Sequence, residues 1–288
     1  MSERIIVGMS GGVDSAVAAL LLIEQGFDVE CIFMKNWEED SESCTAEEDY
    51  KDALLVCDHL GLKLHTVNFS KQYKQNVFDH FLKEYAAGRT PNPDTLCNKE
   101  IKFKVFLNYA LQLGADRMAT GHYARLVNDN GSIKLRKGID NNKDQSYFLF
   151  MLNQHQLEKT KFPIGAMTKK DVRVLAKEKG LPNYDRKDST GVCFIGERNF
   201  TEFLHQYFKS DPGDMVTADE KIVGKHDGLM FYTLGQRQGL GIGGGHGEKE
   251  EPWYVVDKDL KNNQLIVAQG HNHPGLFHSR LTVEELHW

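Results

Sequence analysis

At 288 residues the chain has room for one large domain and a smaller one, and can bury a core that needs neither disulfides nor metals. Its net charge of -6 argues against indiscriminate nucleic-acid binding; no segment approaches the roughly 20 apolar residues of a membrane span, and the N-terminus has no signal-peptide pattern. The five cysteines, Cys31, Cys44, Cys57, Cys97 and Cys193, are irregularly spaced and form no C-x-x-C pair, which argues against a disulfide framework or a zinc site and for a reducing, cytoplasmic compartment.

Arg4 to Met9 is a short β-branched run that reads as a buried parallel strand. Ser10-Gly11-Gly12 is a tight turn, and apolar residues at helical spacing from Val13 to Gln25 predict a helix stopped by Gly26. A strand, a glycine turn and a helix start make a row of backbone N–H groups suited to an anion. Neither the Walker loop nor the dinucleotide fingerprint fits, because no lysine follows these glycines and Gly8, Gly11 and Gly12 have the wrong spacing. Ser-Gly-Gly-Val-Asp-Ser, residues 10–15, instead looks like the loop of enzymes that split ATP between its α and β phosphates.

Asp28 to Lys35 reads as the second strand of a right-handed βαβ unit, with Met34 at its end, where open α/β sheets bind nucleotides. An acidic loop follows, and helical spacing resumes from Asp49 to Leu60. Lys63 to Phe69 reads as a strand and Lys71 to Ala87 as a helix. In Arg89-Thr-Pro-Asn-Pro-Asp-Thr-Leu-Cys-Asn-Lys-Glu100 two prolines flank an asparagine, which predicts a rigid loop. A helix starting near Asn98 and running to Gly114 would place Cys97 at a helix N-terminus, where the dipole and nearby Lys99 and Lys102 lower a thiol's pKa. Asp94 stands three residues earlier, close enough to exchange a proton with a group reacting at Cys97.

Ala115 to Thr120 is another predicted strand with Gly121-His122-Tyr123 at its C-terminal end, and Asp129-Asn-Gly marks a hairpin between Val127 and Lys137. Lys143-Asp144-Gln145 opens a polar cluster suited to gripping a substrate. Thr168 to Gly180 is a predicted helix with Thr168 as N-cap and Asp171 three residues on. Cys193 falls in a Gly-flanked loop, a candidate second thiol. Charge is unevenly spread: residues 38–49 hold seven acids and no Lys or Arg, whereas residues 134–187 hold thirteen Lys plus Arg against six Asp plus Glu, a candidate phosphate-backbone footprint. Beyond about Phe208, short strand-like runs between Gly-rich turns predict a small β-rich module. His271, His273 and His278, near Pro274-Gly275 and without carboxylate partners, read as a surface loop.

Taken together, the Ser10–Ser15 loop, Pro91 to Phe103, Thr120 to Ala124, Lys143 to Tyr147, Gly191 to Gly196 and Tyr232 to Arg237 resemble the tRNA-specific 2-thiouridylases (the MnmA type) of the PP-loop ATP pyrophosphatase superfamily. The loop alone is shared by many ATP-using ligases and amidotransferases; its combination with the two cysteine motifs is specific to this family. The resemblance implies an α/β fold: an open parallel-sheet, Rossmann-like domain of the adenine nucleotide alpha hydrolase type, a small β-rich module and a truncated C-terminal β-barrel. The expected divisions are 1–208, 209–272 and 273–288. A chain ending at the first strand of that barrel is expected to grip tRNA less well.

The family replaces the C2 oxygen of the wobble uridine with sulfur, in tRNAs such as those for Lys, Glu and Gln. Carried over, the resemblance implies that Gly8, Met9, Ser10, Gly11, Gly12, Val13, Asp14, Ser15, Met34 and Gly121 hold ATP, with Mg2+ as its complex and no resident metal site. Asn92, Pro93, Asp94, His122, Lys143, Asp144 and Gln145 would contact tRNA. Cys97 would be the nucleophile, Asp94 its acid/base and Cys193 the persulfide carrier, supplied by a sulfur-donor protein, a cysteine desulfurase or sulfur relay. Cys97 either resolves the persulfide by forming a disulfide with Cys193 or attacks C2 first. The basic stretch would be the surface for the anticodon stem, and the Pro-Asn-Pro loop a wall for a flipped nucleotide. The rival readings are an amidotransferase or ligase of the same loop type, which needs no cysteine pair, and an RNA-binding module with a vestigial nucleotide site.

Overall fold

The structure, a computed structural model, describes residues 2–38, 46–188, 192, 194, 199–243, 251–283 and 286–287. In chain order the elements are β1 (Arg4–Gly8), α1 (Val13–Glu24), β2 (Asp28–Lys35), α2 (Ala46–Leu60), β3 (Leu64–Asn68), α3 (Ser70–Tyr73), a π-helical turn (Lys74–Phe78) and α4 (Asp79–Ala86). There follow α5 (Pro93–Leu96), a π-helical stretch (Cys97–Phe106), α6 (Leu107–Gln112), β4 (Arg117–Ala119), β5 (Ala124–Asp129) and β6 (Ser132–Lys137). Then come α7 (Gln154–Glu158), β7 (Thr160–Lys161), α8 (Lys169–Glu178), α9 (Phe200–His205), β8 (Gly213–Val216), β9 (Ile222–His226), β10 (Trp253–Asp259) and β11 (Gln264–Gln269). The chain forms two compact units, Met1–Phe78 with Pro93–Glu197 and His287–Trp288, and Asp79–Asn92 with Arg198–Leu286.

The first unit is built on a five-stranded sheet of order β3-β2-β1-β4-β7, in which every pairing is parallel. Because both faces of such a sheet are covered, the interior of its central strand β1 is apolar: Ile5, Ile6 and Val7 are fully buried. Helix α1 is buried nearly all round, and its Ala16, Ala18 and Ala19 leave room for close packing against its neighbours. The strand order reverses between β1 and β4, which makes the crevice beyond their C-terminal ends the topological switch point of the sheet. The loops that open there are residues 9–12 and 120–123.

Beside this sheet β5 and β6 form a separate hairpin. Its turn has φ of 53° at Asn130 and 88° at Gly131, the pair of left-handed residues that a two-residue type I′ turn demands. Two expectations change. Helix α2 starts at Ala46, three residues before Asp49, since Glu47, Glu48 and Asp49 suit the positive end of a helix. The Pro-Asn-Pro segment is not wholly loop: Pro93 opens α5, because a proline at the first helical position loses no hydrogen bond.

The second unit carries a four-stranded sheet of order β10-β11-β8-β9, mixed because β11 pairs parallel with β8. Met215, Val223, Val255, Leu265 and Val267 form its buried face. Phe81 and Tyr85 of α4 pack their rings against Phe200 of α9. The expected β-rich texture beyond Phe208 is therefore present, joined by a helix from far earlier in the chain.

Candidate active site at the switch point

Residues Gly8 to Ser15 wrap the end of β1 into the start of α1. Gly11 adopts φ of 82°, a conformation open to glycine at no steric cost, and so turns the chain sharply before the helix. Ser15 closes the loop on itself: its hydroxyl donates to Gly12 O at 2.9 Å and accepts from Ser10 N at 3.2 Å. Met9 N donates to Ile32 O at 2.9 Å, tying the loop to β2. The side chains of Met9 and Val13 are buried in the core, so at those positions only the backbone faces the crevice. No side chain caps α1, which leaves its first-turn N–H groups for a ligand.

Met34 and Gly121 both lie against this loop. A Cβ built on Gly8 would lie 3.5 Å from Met34 Cε and 3.3 Å from Phe106 Cε1. A Cβ on Gly121 would stand 2.7 Å from both Asp14 C and Ser15 N, so only glycine allows β4's exit to pass so close to the helix start. These close approaches, with an uncapped helix end, fit a polyphosphate held by main-chain donors.

A side-chain network surrounds the loop. Asp14 accepts hydrogen bonds from Tyr123 Oη at 2.7 Å and from Lys169 Nζ at 2.8 Å on each carboxylate oxygen. Lys169 also pairs with Asp188 at 2.8 Å, and Asp188 binds Lys143 at 2.6 Å and Arg173 at 2.8 Å. Burial opposes ionisation of Asp188, but the hydrogen bonds and charges of Lys143 and Lys169 outweigh it and hold the carboxyl far below the usual range. Burial, then the Asp14 charge, pushes the Tyr123 phenol well up, so it remains a donor. On the other side Asn183 Nδ2 donates to Gly11 O at 2.7 Å, and Arg186 bonds Asp49 and Asp52 of α2. Of these, the sequence places Tyr123 at the ligand-binding edge of the sheet, beside Gly121 and His122, but does not mark Lys169, Asn183, Arg186 or Asp188 as part of a site. They come from distant positions, and the only sequence signal was the basic excess in which Lys169, Arg173 and Arg186 were counted.

The remaining expected residues fall in several places. Asp144 accepts from Gly138 N at 2.9 Å and from Ser146 Oγ at 2.9 Å, and Gln145 exchanges bonds with the Tyr123 backbone at 3.0 Å, so both shape the segment that presents Lys143. His122 is buried, with Nδ1 2.6 Å from Thr120 Oγ1 and its ring against Phe103 and Phe162; burial, with Lys102 nearby, keeps it neutral, its pKa well below the ordinary value. Pro93, Asp94 and Cys97 lie in the first unit, whereas Asn92 belongs to the second.

Cys97 is buried and sits one turn inside the helical run that Pro93 opens, not at its N-terminus. The dipole argument for its reactivity is thereby weakened, since that effect fades within the first turn. Its π-helical stretch ends at Phe106, which packs on Gly8, so one element joins the cysteine to the loop; such i→i+5 turns are frequent at functional sites. Burial, opposed by the charge of Lys102, raises the Asp94 carboxyl above the usual carboxylate range. Cys193 lies outside the described residues. Its neighbour Phe194 is fully buried, its ring centroid 5.0 Å from Phe78, 5.7 Å from Trp37 and 6.0 Å from Tyr73. Among the described residues no group of three or more His, Cys, Asp or Glu side chains is placed to hold a metal ion, and no helix is long and apolar enough to cross a membrane.

Fold and loop together define a nucleotide-binding α/β domain followed by a small β-domain. Residues 3–197 match the family model described as the tRNA methyl transferase HUP domain, and residues 201–269 the one described as the tRNA methyl transferase PRC-barrel domain. The chain is 58% identical over 288 residues to the tRNA-specific 2-thiouridylase MnmA of Pseudomonas syringae pv. syringae (strain B728a), covering 99% of this chain and 77% of that protein. Against the protein of the same name from Pseudomonas aeruginosa (strain UCBPP-PA14) the identity is 57%, with the same coverage. Among solved structures, the U34-tRNA thiolase NcsA from Methanococcus maripaludis matches with 20% identity and a TM-score of 0.44, over 67% of this chain and 61% of that one. The chain belongs to the family of tRNA-specific 2-thiouridylases.

Proposed function

We propose that this protein is an ATP-dependent tRNA-uridine 2-sulfurtransferase that converts the wobble uridine to 2-thiouridine. The observation that carries the reading is the uncapped glycine turn at the sheet's switch point, in a chain 58% identical to a thiouridylase over 99% of its length. ATP supplies the adenylyl group that turns the uridine C2 oxygen into a leaving group, and Mg2+ enters with it to offset phosphate charge. The backbone of Gly8 to Ser15, with Met34 and Gly121, holds the nucleotide. Asp94, its carboxyl raised by burial, holds or takes the proton at the reacting base.

Cys193 carries the transferable sulfur as a persulfide received from a donor protein, a cysteine desulfurase or sulfur relay. Two routes use Cys97. In one, the persulfide's outer sulfur attacks C2 and the Cys97 thiolate then attacks the inner sulfur, leaving sulfur on C2 and a Cys97–Cys193 disulfide that a thiol reductant must reopen. In the other, Cys97 attacks C2 first and expels AMP, the persulfide's outer sulfur then displaces the Cys97 thiolate, and that thiolate attacks the Cys193 sulfur, leaving sulfur on C2 and the same disulfide. Asn92, Pro93, Asp94, Lys143, Asp144 and Gln145 contact the tRNA, whereas His122 is buried against Phe103 and Phe162. The substrates are tRNAs such as those for Lys, Glu and Gln, the compartment is cytoplasmic, and the functional divisions are 1–208, 209–272 and 273–288. A nitrogen-transferring ligase of the same loop type is not favoured, because the 57–58% identical relatives are named thiouridylases.

The test is sulfur incorporation into unmodified tRNA from a persulfide donor in the presence of ATP, with Cys97→Ser and Cys193→Ser alongside. Thiolation abolished by either substitution supports the two-thiol reading. Thiolation that survives Cys193→Ser contradicts it.

A further inference from the structure

The loop that would hold the ATP phosphates contains a carboxylate, Asp14, in the first turn of α1 and beside the N–H groups meant for an anion. An unscreened Asp14 would repel the phosphates that those groups attract. It is not unscreened. Lys169 Nζ sits 2.8 Å from both carboxylate oxygens, with only 12% of its side chain exposed, and Tyr123 Oη donates to the same group at 2.7 Å. Lys169 is held there from behind by Asp188, which is itself oversupplied with cations, at 2.6 Å from Lys143 and 2.8 Å from Arg173. Three cations, Lys143, Lys169 and Arg173, therefore share the two carboxylates Asp14 and Asp188, with Asp140 accepting from the Lys169 backbone at 2.9 Å.

We propose that Lys169 is the counter-ion of the phosphate loop: a positioning residue that neutralises Asp14 and fixes its carboxylate away from the phosphate-binding N–H groups. It supplies from 155 residues away the cation that a Walker loop carries in its own sequence. The inference rests on residues 8–15 being the ATP loop.

The test measures the dissociation constants of ATP and inorganic pyrophosphate by calorimetry for the wild type, Lys169→Met, Lys169→Arg, Asp14→Asn and the double variant Lys169→Met/Asp14→Asn. Circular dichroism and thermal melting confirm that each is folded. Lys169→Met is expected to weaken both ligands by on the order of 10-fold or more, Lys169→Arg by less, and the double variant to recover most of the loss, because it removes the charge that Lys169 offsets. Lys169→Met binding as well as the wild type, or a double variant no better than Lys169→Met, overturns the inference. A wild type that binds neither ligand instead overturns the ATP-loop reading on which it rests.

Discussion

Gly121 has no room for a side chain. Because a Cβ there would lie 2.7 Å from two backbone atoms of the α1 start, neither of which can swing aside, Gly121→Ala must shift the phosphate loop. The expected cost is about 1–3 kcal/mol of stability and a large loss of ATP affinity, read by denaturant unfolding and calorimetry. His122 gives a pH prediction. Burial depresses its pKa well below the ordinary 6.5, so the folded state refuses a proton that the unfolded chain accepts. Its contribution to stability is therefore complete above about pH 6.5 and declines as the pH falls from there toward the folded value, by up to about 1.4 kcal/mol per pH unit. Urea midpoints compared at pH 7.5 and 5.5 should drop less in His122→Asn than in the wild type; equal drops would contradict the buried neutral imidazole. The strand-turn-helix context made Gly8, Gly11 and Gly12 legible from the sequence, since glycine lets the backbone approach closely, whereas Gly121 follows from the family resemblance. The burial of His122 was not legible, because nothing in Gly-His-Tyr says that the ring turns inward to Thr120 and not outward to solvent.

At the level of elements, the start of α8 matters most, because it delivers Lys169 to the loop. Thr168 accepts from Asp171 N while the Asp171 carboxylate accepts from Thr168 N, a reciprocal capping box. Thr168→Ala should cost about 1 kcal/mol and weaken ATP binding through a loosened Lys169, whereas Thr168→Ser should behave nearly as the wild type; thermal melts and ATP titration read both effects. This helix was legible, cap included, from Thr-x-x-Asp ahead of an apolar stripe. So were β1, α1, β2 and the Asn-Gly hairpin, where period and turn chemistry agree. The helical run from Pro93 departs from the expected loop, because a proline that breaks a helix interior is, lacking an N–H, a natural first helical residue. The π-helical stretch over Cys97–Phe106 left no mark in the sequence, where its apolar positions read as an ordinary helix.

Across the whole molecule the cations divide into two populations. Of the thirteen Lys and Arg between 134 and 187, seven are ion-paired inside the chain: Lys134, Lys143, Lys161, Lys169, Arg173, Lys179 and Arg186. The basic excess therefore serves the architecture of the nucleotide loop as well as any RNA surface, a division that counting charges along the sequence does not reveal. Arg136 and Lys137, exposed on β6, belong to the other population. Arg136→Glu with Lys137→Glu should weaken tRNA binding and flatten its dependence on salt concentration by about one unit of log–log slope for each phosphate that is no longer neutralised, with ATP binding unchanged; filter binding across a salt series reads the change. An unchanged slope would place the tRNA elsewhere.

The most direct measurement is stoichiometric: 2-thiouridine quantified by nucleoside mass spectrometry, alongside AMP and pyrophosphate, when the protein is given unmodified tRNA, ATP and a persulfide donor. One AMP and one pyrophosphate per 2-thiouridine, with no turnover when tRNA is omitted, is the predicted result. Cleavage of ATP to ADP and phosphate, or AMP formed without sulfur entering the tRNA, would contradict it.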